Sequence, residues 1–213
     1  MGVGADFEVK QLLYYANICD YFRLLFLWIG LQEGQNFIFW YVVSYGLDAI
    51  DGELARRFNQ CSRLGYYLDM IIDRISSCLA LHLASKVVAD FPAPYNMFHV
   101  GFVLCILLVE LLSHGLVVYM SEVKGVHQKA MGHQYTVVRM YLDSKPMLLA
   151  ACAGYEGLCL SLIGYAQNGA GYWYWTGLAC LPLFIFRALA NLTRLRACFE
   201  LDMTKQEQQN KKR

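Results

Sequence analysis

The sequence predicts an all-α integral membrane protein with six transmembrane helices. Of its 213 residues, 57% are hydrophobic and only 16% are charged, a composition outside the range of ordinary soluble domains. Apolar stretches of about 20 residues, the length a helix needs to cross the hydrocarbon core of a bilayer, recur along the chain. Short gaps containing Gly, Pro, Asn or Gln separate them. The chain is therefore expected to fold within a lipid bilayer.

The apolar stretches define the predicted elements from the N-terminus onward. A short juxtamembrane helix is expected first, and the six spans follow at 15–31, 37–55, 64–88, 98–119, 145–166 and 171–193. They form a single domain over 1–200, followed by a polar cytosolic tail over 201–213. The eight cysteines include no CxxC pair, so they indicate small buried apolar side chains rather than a disulfide framework.

The positions of Lys and Arg predict the orientation, because short loops rich in these residues remain on the cytoplasmic side. In a six-span arrangement one side carries Lys86 alone. The other side carries Lys10, Arg56, Arg57, Arg63, Lys124, Lys129, Arg139, Lys145, Arg194, Arg196, Lys205, Lys211, Lys212 and Arg213. Both termini and the loop after the second span are therefore expected to face the cytosol. The net charge of +1 is small, although nearly all the basic residues outside the spans lie on one side of the membrane.

Four aspartates lie at or inside the predicted cytosolic ends of the second and third spans. Asp48 and Asp51 belong to GLDAIDGELARRF, and Asp69 and Asp73 belong to RLGYYLDMIIDRISS. An ionised Asp at the centre of a membrane helix costs about 2.5–3.5 kcal/mol, so four of them need more positive charge than the neighbouring arginines supply. Spacings of three and four residues place each pair on one face of its helix. All four carboxylates are therefore expected to converge between the two helices.

The residue types of this cluster point to metal and phosphate chemistry. Hard carboxylate oxygens with no His or Cys beside them favour Mg²⁺ or Mn²⁺ over zinc, and two such ions would offset most of the negative charge. Gly52, Ala55 and Gly65 leave open backbone where a nucleotide or diphosphate would approach, and Arg56 is placed to bind a phosphate oxygen. The alternative is that the acids only pair with arginines and the small residues only let helices pack, but it accounts poorly for four acids in register.

Written as a pattern, the segment from Asp48 to Asp73 reads DxxDGxxARx8GxxxDxxxD, with every fixed position filled. This resembles the signature of the class I CDP-alcohol phosphatidyltransferase family, whose six-helix architecture would cover nearly the whole chain. One departure lies near the start of the first span, where relatives often have Pro-Asn and this chain has Ala16-Asn17. Asn17 and Arg23 keep the family spacing.

Two later segments resemble the branch of that family whose acceptor is inositol. They are LLSHGL, around Ser113 and His114, and SKPMLLAACAGYE, from Ser144 to Glu156. The resemblance implies transfer of the phosphatidyl group from CDP-diacylglycerol to myo-inositol, with release of CMP and with two Mg²⁺ or Mn²⁺ ions as cofactors. It also implies a multi-pass protein of the endoplasmic reticulum membrane, an active site facing the cytosol and a homodimer. No nucleic-acid partner is expected.

The resemblance also assigns roles to residues. The implied metal ligands are Asp48, Asp51, Asp69 and Asp73, and Asp73 is in addition the implied general base. Burial in an apolar helix and nearby cations act on the basicity of Asp73 in opposite directions, and the sequence does not decide between them. The residues implied to bind CDP-diacylglycerol are Gly52, Ala55, Arg56, Gly65 and Asn17.

The acceptor pocket rests on weaker signals. Arg139 and Lys145, before the fifth span, and Arg187, inside the sixth, are candidates to bind inositol hydroxyls. Each has a plainer alternative, because the first two satisfy the positive-inside rule and Arg187 is able to pair with an acid. Glu110 is an intramembrane acid that either pairs with Arg187 or Arg74 or touches this pocket, and pairing is the preferred interpretation.

Two alternative functions remain open on the sequence. A member of the same family with glycerol 3-phosphate, serine, choline or ethanolamine as its acceptor would carry the same signature. A divalent-cation transporter would also place carboxylates within the membrane. The transporter is disfavoured because the acids cluster at the cytosolic ends of two spans, with no matching acids in the lumenal half to complete a path.

Overall fold

A computed structural model describes residues 9–90, 95–125 and 130–210, and every regular element within them is helical. A short 3-10 helix, Val9–Leu13, precedes the α-helices, where the sequence predicts a juxtamembrane helix. The α-helices are α1 (Tyr15–Glu33), α2 (Phe37–Arg57), α3 (Arg63–Ala89), α4 (Tyr95–Lys124), α5 (Thr136–Asp143), α6 (Lys145–Asn168) and α7 (Gly171–Asn210). Four basic residues used to predict the orientation, namely Lys129, Lys211, Lys212 and Arg213, lie outside the described residues.

Six of these helices cover the six predicted spans, and α4 and α7 extend beyond them. Within the described residues, however, only three helices are long and apolar enough to cross a membrane by length and composition: Ile106–Val123 within α4, Lys145–Asn168, and Gly171–Glu200 within α7. Helices α1, α2 and α3 fall short of that composition, because α1 carries Asp20 and Arg23 and because α2 and α3 carry the four aspartates of the predicted site. The chain is thus helical with three candidate spans, and the crossing of α1 to α3 remains a prediction.

Two features of the helices differ from the sequence prediction. Helix α5 was not predicted, because its eight residues are too few to form one of the long apolar runs from which the spans were predicted. It is nevertheless amphipathic and buries Val138 and Tyr141. Helix α7 continues to Asn210, so most of the predicted polar tail is a continuation of the last helix.

The chain divides into two compact units, residues 1–79 and 80–213. In the first unit, α1 and α2 form a tight hairpin. Gly34 ends α1 at a positive φ of 60° and donates its N–H to the carbonyl of Gly30. A Cβ on Gly30 would lie only 3.0 Å from the Cβ of Trp40, so the absence of a side chain there lets the two helices approach closely. This hairpin sets the position of the polar face of α1 relative to α2.

In the second unit, α6 packs closely against α7. A Cβ on Gly154 would overlap the side chain of Leu183, and one on Gly164 would overlap the indole ring of Trp173. Such close approach through small residues is typical of helix packing in membranes. The N-terminus of α6 is capped by Ser144, whose hydroxyl accepts a hydrogen bond from the N–H of Met147.

Candidate metal centre

A short connection brings the end of α2 to the start of α3. Helix α2 ends at Arg57, and Asn59 then adopts a left-handed backbone conformation with a φ of 53°. The hydroxyl of Ser62 accepts a hydrogen bond from the N–H of Gly65 at 3.0 Å, which caps the first turn of α3. The last turns of α2 and the first turns of α3 therefore lie near each other in the fold.

The four aspartates of the signature occupy these turns and converge, as their spacing predicts. Asp48 and Asp51 lie in the last three turns of α2, and Asp69 and Asp73 lie in the first three turns of α3. All four contact one guanidinium group, that of Arg23 in α1. The centre therefore draws on three helices rather than on two.

One terminal nitrogen of Arg23 lies among three carboxylates. Its Nη1 is 2.9 Å from Asp69 Oδ1, 3.2 Å from Asp51 Oδ2 and 3.0 Å from Asp20 Oδ1. Arg23 and Asp20 are 2% and 1% exposed, and Asp51 is also buried. These charges sit where water screens them poorly, so the contacts between them are strong.

The other terminal nitrogen of Arg23 faces the remaining two aspartates. Its Nη2 lies 2.5 Å from Asp48 Oδ1 and 2.5 Å from Asp73 Oδ1. The side chains of Asp48, Asp69 and Asp73 are between 31% and 44% exposed. The cluster therefore has a buried half, built on Asp20 and Asp51, and an open half.

The donor atoms of this cluster fit divalent cations. Oxygen atoms of Asp20, Asp51 and Asp69 lie within 4.8 Å of one another, and so do those of Asp48, Asp69 and Asp73. Five carboxylates outnumber the two arginines that contact them, which are Arg23 and, at 3.9 Å from Asp73 Oδ2, Arg74. Divalent ions would offset the remaining negative charge. Hard oxygen donors of this kind suit Mg²⁺ or Mn²⁺. The two groups share Asp69, so this carboxylate would be available to either ion.

Two members of the cluster, Asp20 and Arg23, were not predicted as site residues. Their signal was present in the sequence, because Asn17, Asp20 and Arg23 recur at intervals of three residues and thus share one face of an otherwise apolar helix. Only arginines close in sequence to the aspartates were expected near their carboxylates. Arg23 lies 28 residues before Asp51, and a contact over that distance depends on helix packing.

A cavity of about 280 Å³ opens beside the buried half of the cluster. Three of its lining residues are the acids Asp20, Asp51 and Asp69. Its wall also includes all five residues that the family resemblance assigns to CDP-diacylglycerol: Asn17, Gly52, Ala55, Arg56 and Gly65. The structure therefore groups these five residues around one space next to the carboxylates.

The wall of the cavity is closed by a close approach between α3 and α1. A Cβ on Gly65 would lie 2.8 Å from Oδ1 of Asn17 and 3.3 Å from Oγ of Ser62. Asn17 is buried and is held in place because its Nδ2 donates to the carbonyl of Gln11 at 2.6 Å. Only glycine fits at position 65 without displacing the amide of Asn17.

Arg56 lies on the same cavity but does not contact the aspartates in this structure. Its Nη2 donates to Glu53 Oε2 at 2.9 Å, and both side chains are more than half exposed. Ion pairs as exposed as this contribute little to stability, so the guanidinium can exchange this partner for a phosphate at small cost. Arg56 is thus the basic group best placed to reach a ligand in the cavity.

The three candidate acceptor residues lie in the second unit. Arg139 in α5 and Lys145 at the first position of α6 are exposed. Arg187 in α7 is buried, its Nε lies 3.0 Å from Glu110 Oε1, and its guanidinium carbon lies 4.3 Å above the ring of Tyr155. The predicted pairing of Glu110 with Arg187 is confirmed. Binding of an acceptor by any of the three stays a prediction.

The fold and the site define a class of protein: a helical membrane protein with a candidate divalent-cation centre beside a ligand-sized cavity. The chain belongs to the CDP-alcohol phosphatidyltransferase family, whose sequence profile matches residues 12–167. That match runs from the region just before α1 to the end of α6 and includes all the residues of the carboxylate centre. The family is generally dependent on divalent metal, in agreement with the oxygen-rich cluster.

Several curated proteins are similar over most of the chain. The CDP-diacylglycerol–inositol 3-phosphatidyltransferase of Saccharomyces cerevisiae is 29% identical, and the aligned region covers 87% of this chain and 84% of the yeast protein. The enzyme of the same name from Homo sapiens is 33% identical over 74% of this chain and 73% of its own length. CDP-diacylglycerol–inositol 3-phosphatidyltransferase 1 of Arabidopsis thaliana is 30% identical over 76% of this chain and 70% of its own. No solved structure matches the chain.

Proposed function

We propose that this protein is a phosphatidylinositol synthase that transfers the phosphatidyl group of CDP-diacylglycerol to myo-inositol and releases CMP. The observation that carries the proposal is the complete signature from Asp48 to Asp73, whose carboxylates converge on one point. The choice of inositol is supported by the curated relatives, which are named as inositol 3-phosphatidyltransferases. Membership of a transferase family argues against a cation transporter.

Four aspartates would hold two ions, Mg²⁺ or Mn²⁺, in this proposal: Asp48, Asp51, Asp69 and Asp73. When bound, the ions supply positive charge to the phosphoryl oxygens and to the departing phosphate. Asp69 contributes to both groups of oxygens, so its loss would affect both halves of the centre.

The cavity beside the carboxylates is the proposed binding place of the cytidine diphosphate part of the lipid substrate. Gly52, Ala55 and Gly65 keep its wall free of large side chains, so that a diphosphate approaches the backbone closely. Arg56 then leaves Glu53 and binds a phosphate oxygen by charge-assisted hydrogen bonds. The acyl chains extend into the bilayer.

Asp73 is the proposed general base. It lies one helical turn after Asp69, and its side chain is 35% exposed, so a hydroxyl group from the cytosol can reach it. An inositol oxygen attacks the phosphorus on the lipid side and its proton passes to Asp73, while the bond between that phosphorus and the oxygen of CMP breaks. Arg23 must release Asp73 Oδ1 before this carboxylate can take the proton.

Inositol is proposed to bind through Arg139 and Lys145, which are exposed and carry hydrogen-bond donors only. Arg187 would contribute only the donors that Glu110 leaves available. The proposal also includes six transmembrane helices, both termini and the active site on the cytosolic side, a location in the endoplasmic reticulum membrane, and a homodimer. The one-sided distribution of Lys and Arg supports this orientation.

An acceptor screen on the purified, detergent-solubilised protein tests the proposal. CDP-diacylglycerol and Mn²⁺ or Mg²⁺ are supplied with inositol, glycerol 3-phosphate, serine, choline or ethanolamine, and both CMP release and labelled lipid are measured. We expect both products with inositol alone, and neither in Asp69→Asn. Glu33→Gln, which alters an exposed acid at the end of α1, serves as the control and should retain activity. Transfer to another acceptor in place of inositol would reassign the enzyme within its family.

A further inference from the structure

Asp20 is an acid that the family signature does not include. It lies in α1, 28 residues before the first aspartate of the motif. Its side chain is nevertheless directed into the same cluster, because Asn17, Asp20 and Arg23 lie along one face of the helix, and all three are buried. The position of Asp20, 1% exposed, therefore needs an explanation of its own.

A cation is already stabilised at the point where Asp20 meets two aspartates of the signature. Oxygen atoms of Asp20, Asp51 and Asp69 lie within 4.8 Å of one another. Nη1 of Arg23 contacts the same three carboxylates at 2.9–3.2 Å. The three side chains therefore present their oxygens to a common centre of positive charge, as ligands of one ion would.

The charge balance argues against a purely structural role for Asp20. Arg23 already contacts the four aspartates of the signature. A fifth buried carboxylate adds negative charge without adding a donor, which is costly unless more positive charge arrives. If Asp20 served only to pair with Arg23, it would weaken the compensation that the other four receive.

We propose that Asp20 is a fifth carboxylate ligand of the centre and binds one divalent ion together with Asp51 and Asp69. This rests on the proposed function, in which the centre takes two such ions. The same three acids line the cavity, so the ion held by Asp20 is the one that borders the proposed nucleotide position. The group formed by Asp48, Asp69 and Asp73 is more exposed, so its ion exchanges more readily.

Mn²⁺ binding tests this assignment without relying on activity. The full-length protein in nanodiscs is treated with EDTA, dialysed and titrated with Mn²⁺, and free Mn²⁺ is followed by its electron paramagnetic resonance signal. We expect two bound ions per chain in the wild type. In Asp20→Asn, one dissociation constant rises by at least about tenfold, the scale seen when groups around a metal are altered, while the other is nearly unchanged.

Two further variants separate ligation from charge. Glu53→Gln removes one negative charge from an exposed position of α2 and should leave both dissociation constants nearly unchanged. Asp20→Glu keeps the charge but moves the carboxylate by one methylene, so it should still weaken the binding of one ion. Two results together would overturn the proposal. Asp20→Glu would bind both ions as tightly as the wild type does, and the Mn²⁺ dissociation constants of Asp20→Asn would be no higher than those of Glu53→Gln.

The variants also cover a failure to fold. If Asp20→Asn does not fold, Asp20→Glu decides alone, because unchanged binding of both ions there contradicts ligation by Asp20. Failure of the proposed function gives a different result, because the wild type would then release no CMP with inositol. A wild type that makes inositol lipid, with both ions bound normally by the Asp20 variants, refutes only the assignment of Asp20.

Discussion

Nη2 of Arg23 lies 2.5 Å from Oδ1 of Asp73, so a cation of the first helix touches the carboxylate proposed as the general base. The same guanidinium contacts Asp20 and the other three signature aspartates. Divalent ions bound by those oxygens would compete with Arg23 for them. Arg23 should therefore stabilise the metal-free centre and lower its affinity for metal.

Arg23→Gln should destabilise the EDTA-treated protein and tighten its binding of Mn²⁺. Removing one partner of a buried charge cluster costs about 3–5 kcal/mol, because the remaining charges lose their compensation. Thermal unfolding with and without saturating Mn²⁺ measures the effect, and the stabilisation by Mn²⁺ should be larger in the variant than in the wild type. Arg57→Gln, which alters an arginine 75% exposed, is the control. Equal metal-free stability of Arg23→Gln and wild type would show that Arg23 does not compensate the cluster.

Asp73→Asn should lower turnover by about 10²–10⁴-fold, the range that a general base contributes. Mn²⁺ affinity should fall less than in Asp69→Asn, because Asp69 belongs to both groups of oxygens. Steady-state CMP release and Mn²⁺ titration, performed on the same preparations, separate the two effects. Near-normal turnover of Asp73→Asn with both ions bound would move the role of base to another residue.

Gly65→Ala should weaken binding of CDP-diacylglycerol, because the new Cβ would lie 2.8 Å from Oδ1 of Asn17 and would push this amide into the cavity. Overpacking of this kind costs about 1–3 kcal/mol, which, taken from the binding free energy, raises KM by about 5- to 150-fold. Gly46→Ala is the control, because a Cβ there meets nothing within 4 Å.

The double variant Asn17→Ala, Gly65→Ala tests whether the two residues act through their contact. Once the amide is removed, the added methyl group has room, so the combined cost should be smaller than the sum of the single costs. The unfolding temperature and the KM for CDP-diacylglycerol are the two readouts. Strictly additive effects on both would mean that Gly65 acts independently of Asn17.

Glu110→Gln should destabilise the second unit by about 3–5 kcal/mol, because it removes the acid that contacts the buried guanidinium of Arg187. The double variant Glu110→Gln, Arg187→Gln should recover part of that loss. Unfolding in denaturant checks the stability, and the KM for inositol in the double variant checks the proposed acceptor role. A KM equal to that of the wild type would leave Arg187 a structural role only.

The sequence predicted the helices and the signature aspartates well because both depend on local patterns. Apolar length located α1, α2 and α3 within two residues of their observed ends, and spacings of three and four placed the four acids on facing turns. The contacts of Arg23 were missed because they join α1 to two other helices, and such contacts follow from packing rather than from spacing. Asp20 was missed for the same reason, and α5 was missed because its eight residues are too few to form a long apolar run.

The most direct test of the central claim is the stoichiometry of the reaction at the carboxylate centre. Purified protein is given CDP-diacylglycerol, labelled inositol and Mn²⁺, and the CMP released is compared with the label that enters lipid. We predict equal amounts of the two products, with both abolished by EDTA and by Asp69→Asn. CMP release without labelled lipid, or labelled lipid formed undiminished by Asp69→Asn, would contradict the account.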